Sequence, residues 1–117
     1  MEEERVSIHE MSLKNIYFND ILIGKKTVEI RIFDKKRQKI NVGDRILFKD
    51  EKGERNCLKI VNQIFRFDDF KKAIEFFGIE NVLPGCSSVE EGVLVYENIP
   101  SYSESVKEYG CVCFVLS

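Results

Sequence analysis

Hydrophobic and polar positions alternate along several short stretches of the chain, which is the pattern of a strand that buries one face. Residues 27–33 show the alternation most clearly. One face of this stretch carries Val28, Ile30 and Ile32. The opposite face carries Thr27, Glu29, Arg31 and Phe33. Further apolar runs predict four more strands, at residues 4–10, 45–48, 58–67 and 111–116.

Apolar residues at intervals of three and four predict a helix after the first strand. The helix is predicted to begin after Ser12, whose hydroxyl can cap it, and to end at Gly24. Its apolar positions are Leu13, Ile16, Tyr17 and Ile21.

Two later segments also carry helix signals. Either Asp68 or Asp69 is predicted to cap a helix that ends at Gly78. Two overlapping capping-box patterns within residues 87–91 predict another helix, which ends before Pro100. The apolar positions of the first of these helices are Phe70, Ala73, Ile74 and Phe77.

The order of these elements predicts an α+β fold, because two or three short helices are inserted among strands without a βαβ repeat. Residues 101–109 are interpreted as a polar loop or a short helix. Strands near both ends of the chain predict a closed or half-closed sheet, with the last strand beside the first. The length of 117 residues suits one domain, residues 1–117.

Composition excludes several classes of protein. Hydrophobic residues make up 44% and charged residues 32% of the chain, which excludes a disordered chain, collagen and a disulfide-stapled miniprotein. The apolar runs are shorter than the roughly 20 residues of a membrane helix. Three glutamates after Met1 are unlike a signal peptide, so a cytoplasmic protein without membrane contact is predicted. The cysteines lack C-x-x-C spacing, and no phosphate-binding loop, dinucleotide-binding fingerprint or H-E-x-x-H motif occurs, so neither a metal nor another cofactor is expected.

Charge is unevenly distributed around a net value of −2. Residues 24–59 carry twelve basic and six acidic side chains, whereas residues 60–117 carry four basic and nine acidic ones. A basic centre in an acidic chain favours a phosphate-bearing ligand locally. The alternative is a solvated lysine-rich loop, above all at Lys35, Lys36, Arg37 and Lys39.

The most informative segment is residues 24–31, Gly-Lys-Lys-Thr-Val-Glu-Ile-Arg. Glu29 and Arg31 share one face of the predicted strand, and Lys26 lies just before it. Three charged groups this close can hold a polar ligand, and a partly desolvated lysine can act as a base or nucleophile. The alternative is a cross-strand ion pair on a solvent-exposed face.

These residues resemble the ASCH family. A helix, a Gly-x-Lys-x-x-Glu-x-Arg strand, a charged loop, Gly-Asp and an apolar strand are typical of that family in this order. The matching residues are Gly24, Lys26, Glu29, Arg31, Gly43 and Asp44. The resemblance implies a PUA-like β-barrel of about five to six mostly antiparallel strands with two to three flanking helices. It also implies a cleft lined by the motif.

The resemblance further implies RNA, a nucleotide or a nucleoside as partner, since ASCH domains are proposed RNA-binding modules similar to PUA domains. Some small members hydrolyse N4-acetylcytidine and another is described as a ribonuclease, so a metal-independent amidohydrolase is the alternative. That branch uses a lysine, a threonine and a glutamate. Lys26 matches the lysine, while Glu29 occupies the threonine position, and both are candidate catalytic groups. Glu75 or Glu80 matches the glutamate.

Four further residues are candidate ligand contacts. His9 ends the first predicted strand, where its imidazole can face the cleft; the more common role of such a histidine is a hydrogen-bonded structural one. Tyr102 and Tyr109 can stack on a base or pack at the rim of the core, and Thr27 adjoins the motif. A binding protein is predicted to show salt-dependent affinity, and an enzyme saturable turnover. A monomer is expected in either case.

Overall fold

Five strands form a single sheet in this computed structural model, which describes residues 6–117. The strands are β1 (Ile8–Ser12), β2 (Val28–Ile32), β3 (Arg45–Lys49), β4 (Asn56–Phe67) and β5 (Cys111–Leu116). Their order across the sheet is β1-β3-β4-β5-β2. The β1–β3 pair is parallel, and the other three pairs are antiparallel. The predicted α+β class with a mostly antiparallel sheet is confirmed.

The sheet curls into a half-barrel because its longest strand, β4, pairs with a different neighbour along each half of its length. Residues 56–60 of β4 pair with β3, and residues 61–67 pair with β5. The register shifts between Val61 and Gln63, and such a bulge bends the strand that carries it. The curl brings the two edge strands together: Nη2 of Arg31 on β2 donates to the carbonyl of Ser12 on β1 at 2.9 Å.

Helices occupy the connections between strands. They are α1 (Asn15–Leu22), α2 (Phe70–Phe77), α3 (Ile79–Val82), α4 (Val89–Glu97) and α5 (Tyr102–Tyr109). The additional helices beyond the predicted two or three are the four-residue α3 and the polar segment α5. Asp69 caps α2 by accepting the N–H of Lys72 at 2.8 Å, and Ser88 caps α4. No helix within residues 6–117 is long and apolar enough to cross a membrane.

Two predictions about the first and last strands are wrong. Ser12 is the last residue of β1 and caps no helix, because α1 begins only at Asn15 and has no side-chain cap. The last strand, β5, pairs with β4 and β2 and does not lie beside β1. Because β5 is apolar and buried on both faces, it takes a central position in the sheet. Residues 4 and 5 of the first predicted strand lie outside the described residues.

Two hydrophobic clusters lie on opposite faces of β5. Val112 and Phe114 face the first cluster, which includes Phe18 of α1. Cys111 and Cys113 face the second, which is covered by residues of α2, α4 and α5. As the alternation predicts, β2 contributes its apolar residues to one cluster, the second one: Val28, Ile30 and Ile32.

Candidate functional site

β2 is an edge strand, so the backbone groups on its outer side have no neighbouring strand to form hydrogen bonds with. The carbonyl of Thr27 accepts the N–H of Leu116 at 2.9 Å, and the N–H of Phe33 donates to the carbonyl of Gly110 at 3.0 Å, so Glu29 and Arg31 between them direct their backbone groups toward β5. The carbonyl of Val28 and the N–H of Ile30 therefore point away from β5, along the open edge. Buried backbone groups need hydrogen-bond partners, so side chains must supply them here.

Lys26 and Glu29 supply these partners. Nζ of Lys26 donates to the carbonyl of Val28 at 2.8 Å and to that of Val82 at 2.6 Å. Oε1 of Glu29 accepts the N–H of Ile30 at 3.2 Å. The two side chains also pair with each other, with 3.2 Å between Nζ and Oε1. Together they cover the open edge of β2. An exposed sheet edge otherwise offers its unpaired backbone groups to other chains.

Arg31 completes the cluster. Its Nε and Nη2 donate to Oε2 of Glu29 at 3.1 and 3.0 Å, and Nη2 also donates to the carbonyl of Ser12. Within residues 6–117, Nη1 has no hydrogen-bond partner. We call Lys26, Glu29 and Arg31 the ion triad; it carries one excess positive charge.

Burial of the ion triad sets its electrostatics. Lys26 is 2% and Glu29 3% exposed, so the alternative of a solvent-exposed ion pair is wrong. Burial lowers the pKa of Lys26, and attraction to Glu29 only partly opposes this. Burial acts to raise the pKa of Glu29. The positive charges and hydrogen bonds of Lys26 and Arg31 outweigh this effect and hold the pKa of Glu29 below its usual value. Burial acts to lower the pKa of Arg31, but Glu29 outweighs it and raises that pKa.

A cavity of about 240 Å³ opens beside the ion triad, between β2, the start of α1, and helices α4 and α5. Its apolar wall consists of Leu13, Ile30, Leu83, Val95 and Ile99. Besides the triad, its polar lining consists of Ser12, Lys14, Tyr17, Tyr96 and Tyr102. A mostly apolar cavity with a few convergent polar groups is the usual form of a small-molecule site.

Tyr96 is the most deeply buried tyrosine of this lining. It is 4% exposed, and its hydroxyl has no hydrogen-bond partner within the described part of the chain. Burial raises the pKa of Tyr96 well above its usual value, so the hydroxyl is neutral. Phe70 stacks on the ring of Tyr96, with centroids 5.1 Å apart, and on that of Tyr102, with centroids 6.0 Å apart. These stacks fix both tyrosines in the cavity wall.

Four of the residues predicted from the sequence meet in this cavity. Lys26, Glu29 and Arg31 come from one segment, and Tyr102 reaches the same cavity from α5. Thr27 lies outside the cavity lining and uses its backbone, whose N–H donates to the carbonyl of Asn81 at 3.0 Å.

The two remaining candidate ligand contacts lie elsewhere. Nε2 of His9 is 2.9 Å from Oδ2 of Asp44, a contact that joins β1 to the turn before β3. Tyr109 borders a second cavity together with Arg66 and Lys107. Neither His9 nor Tyr109 lines the cavity beside the ion triad.

Sequence reasoning misses two tyrosines of the cavity lining as site residues. The apolar pattern marks Tyr17 only as a core position of the first helix, and it does not distinguish Tyr96 of α4. The signal that would have identified them is a tyrosine at an apolar position of a helix, because its hydroxyl needs a partner when the ring is buried.

The curled sheet and its flanking helices form a PUA-like fold. The chain belongs to the ASCH domain family, whose model matches residues 11–115. The comparison with curated proteins gave no match.

Solved structures agree with this assignment. The crystal structure of hypothetical protein PH0355 is 41% identical, over 94% of this chain and 97% of that one, with a TM-score of 0.84. The solution structure of protein PF0455 from Pyrococcus furiosus is 34% identical, over 94% and 96% of the two chains, with a TM-score of 0.73. The S128A mutant of ZmASCH from Zymomonas mobilis is 18% identical over 95% of this chain and 68% of that one. Its TM-score of 0.62 shows a shared fold.

Proposed function

We propose that this chain binds RNA, a nucleotide or a nucleoside in the cavity lined by Lys26, Glu29 and Arg31. The observation that carries the proposal is that Arg31 lines a mostly apolar cavity and that its Nη1 has no hydrogen-bond partner within residues 6–117. Association of the ASCH family with RNA and nucleotide binding supports the same conclusion. A nucleobase combines a flat apolar ring with hydrogen-bond acceptors at its edge, and so suits this lining.

Cavity size limits what enters. Its volume of about 240 Å³ lies below the roughly 300–1,000 Å³ of pockets for drug-sized ligands. We therefore propose that one base enters, alone or with part of its sugar. A longer RNA would bind through a single unstacked base, which is how many proteins recognise single-stranded RNA.

The basic segment of residues 24–59 supports contacts with phosphate at the mouth of the cavity. Arg37, in the charged loop after β2, is close enough to Tyr102 to act on its pKa. Burial raises the pKa of Tyr102, and the charges of Arg31 and Arg37 oppose that rise. Arg37 is paired with Asp34 at 2.8 Å, so the excess positive charge of this loop comes from Lys35, Lys36 and Lys39. We propose that these lysines contact the phosphate of a nucleotide whose base is bound in the cavity.

Hydrogen bonding within the ion triad favours binding over catalysis. An ammonium group has three donors, and Lys26 directs them at two carbonyls and a carboxylate. The Glu29 carboxylate accepts three hydrogen bonds and also pairs with Nζ of Lys26, which together take up about its full capacity. Neither group can act as a base without first breaking a buried contact. Arg31, by contrast, retains an unused donor group.

Calorimetric titration with the four nucleoside 5′-monophosphates and a short single-stranded RNA tests the proposal. We expect binding by the wild type, with RNA affinity falling as salt rises. Arg31→Lys keeps a charge beside Glu29 but loses the guanidinium donors, and we expect affinity to fall about tenfold or more. Arg55→Lys is the matched control, because Arg55 pairs with Asp50 at 2.9 Å and lies outside the cavity. Absence of wild-type binding at millimolar ligand, or equal effects of the two substitutions, contradicts the proposal.

A metal-independent amidohydrolase acting on N4-acetylcytidine is the second candidate function. The observation that favours it is the lowered pKa of Lys26, because burial brings this amine closer to a neutral, reactive form. Incubation of concentrated protein with N4-acetylcytidine, followed by chromatography, distinguishes the two functions. We expect binding without deacetylation. Deacetylation that Lys26→Arg abolishes in a folded protein would establish the enzyme instead, and cleavage of the short RNA would indicate a ribonuclease.

A further inference from the structure

We infer that Tyr96 recognises the ligand in this cavity: the tyrosine hydroxyl forms a hydrogen bond with a polar atom on the edge of a nucleobase. The nucleobase enters ring first, and the attached phosphate stays at the mouth of the cavity. This inference rests on the proposed function and specifies how the same site recognises its ligand. It assigns a specificity-determining role to a residue outside the Gly-x-Lys-x-x-Glu-x-Arg motif.

The unpaired hydroxyl of Tyr96 is the first observation behind this inference. Most buried side-chain polar atoms in native proteins have a hydrogen-bond partner, so each exception needs an explanation. Within residues 6–117 this hydroxyl has none, although the residue is only 4% exposed. A phenylalanine would fill the same space without the desolvation cost of the hydroxyl. A ligand that supplies the missing partner explains why a tyrosine is present.

The fixed position of the ring is the second observation. Tyr96 lies on α4 and stacks on Phe70 with an angle of 15° between the ring planes. The hydroxyl therefore cannot swing out to reach water without disturbing the second hydrophobic cluster, to which both rings belong. A polar group held in advance at a cavity wall loses little conformational entropy when a ligand arrives.

Arg31 provides the complementary group. Its Nη1 can only donate, whereas the hydroxyl of Tyr96 can donate or accept. A nucleobase offers ring nitrogens, carbonyls and amino groups side by side along its edge, which satisfies both residues at once.

The orientation of the ligand follows from the charges. The ion triad contributes only one excess positive charge, and the rest of the wall is largely apolar. A phosphate placed at this depth would lose its hydration without full compensation. Lys14, an exposed residue of the cavity lining, and the charged loop that holds Arg37 are better placed to meet it.

The test measures thermal stability and affinity on the same variants of the full chain. Tyr96→Phe removes only the hydroxyl, and Tyr109→Phe makes the same change at a tyrosine outside this cavity. The probes are cytidine, uridine, adenosine and guanosine, with ribose 5-phosphate as the probe without a base. We expect Tyr96→Phe to raise Tm by about 2–8 °C and to weaken nucleoside binding about 5- to 100-fold. Tyr109→Phe should change neither quantity, and ribose 5-phosphate should not compete with the nucleosides.

Each outcome of this test decides a different point. Nucleoside binding that Tyr96→Phe leaves intact overturns the role of Tyr96 but not the proposed function. An unchanged or lower Tm for Tyr96→Phe shows that the hydroxyl already has a partner in the free protein, and also overturns that role. Competition by ribose 5-phosphate overturns the ring-first orientation. Failure of the wild type to bind any nucleoside or nucleotide overturns the proposed function, and this inference with it.

Discussion

Single charged side chains replace a missing strand at the edge of the sheet. Lys26 and Glu29 pair the outward-facing backbone groups of Val28 and Ile30, which a sixth strand would otherwise pair. A buried charge is tolerated only when it is paired and hydrogen-bonded, and each member of the ion triad meets this condition. The residues that resemble a catalytic set are therefore also needed for folding. This structural contribution makes the effect of substitutions at Lys26 and Glu29 on activity hard to interpret by itself.

Removal of Lys26 tests this structural role. We expect Lys26→Ala to lower the free energy of unfolding by about 3–5 kcal/mol, because it leaves buried polar partners unpaired. Urea denaturation measures the loss. Lys49→Ala is the control, since Lys49 pairs with Glu10 at 3.3 Å on the surface, where such pairs contribute about 0–1 kcal/mol. Equal losses for the two lysines would contradict the structural role of Lys26.

The lowered pKa of Glu29 predicts a loss of stability in acid. Its folded-state pKa lies below the usual 4.5, so the unfolded chain binds more protons in the interval between the two values. The stabilisation is fully present above the unfolded pKa and is lost as pH falls through the folded pKa. Denaturant titrations across this acidic range measure the effect. The Glu29→Gln variant should be less stable at neutral pH, and its free energy of unfolding should depend less on pH. An unchanged pH dependence would show that other carboxylates cause the loss of stability in acid.

At the scale of elements, the end of α1 positions Lys26. Gly24 has a φ of +82°, a conformation that residues with a Cβ rarely adopt. Its N–H donates to the carbonyl of Ile21 at 3.1 Å, and the N–H of Lys25 donates to that of Asp20 at 2.9 Å. This pair of bonds is a Schellman motif, which stops the helix and turns the chain. The turn delivers Lys26 directly to the start of β2.

The start of α2 offers a test at the same scale. Asp68 and Asp69 were equally suitable caps in the sequence, and the structure assigns the role to Asp69. We expect Asp69→Ala to lower the free energy of unfolding by about 1 kcal/mol. Asp68→Ala removes only a contact of 3.6 Å with Lys72, between side chains that are largely exposed, and should change stability by less. Thermal or urea denaturation of the two variants measures the difference, and the reverse ranking would contradict the assignment.

At the scale of the whole molecule, β5 joins the two hydrophobic clusters. Phe114 belongs to the cluster that contains Phe18, and Cys113 belongs to the cluster that contains Phe70. Neither cluster can lose this strand without exposing the other. The cavity lies beside β2 where the clusters meet, and Tyr17 packs against both of them. The geometry of the site therefore depends on the integrity of the whole sheet.

This shared strand predicts that the chain unfolds as one cooperative unit, as expected for a single domain of this size. A urea titration followed by NMR tests the prediction, with Phe18 reporting on one cluster and Phe70 on the other. We expect the same midpoint for both rings. Separate midpoints would show two independently unfolding halves and would contradict the prediction of one domain.

The sequence alone determined the local features of this protein. The alternation in residues 27–33 identified β2 and placed Glu29 and Arg31 on one face of it, because side-chain direction in a strand depends only on position. Gly24 and Gly78 ended their helices as predicted, since a positive φ is a requirement of the single residue. The motif also led to the ASCH family, which the family model confirms.

Only the tertiary structure decided what these features do together. The apolar pattern of β5 did not reveal its neighbours, and the ion triad was identified without its burial or its bond to Val82, 56 residues beyond Lys26. Tyr96 joins the cavity from a distant helix, whereas His9 lies with Asp44 instead. The reason is physical: a strand or a helix turn depends on neighbouring residues. A cavity forms only where packing brings distant segments together and excludes water, and no local pattern encodes that.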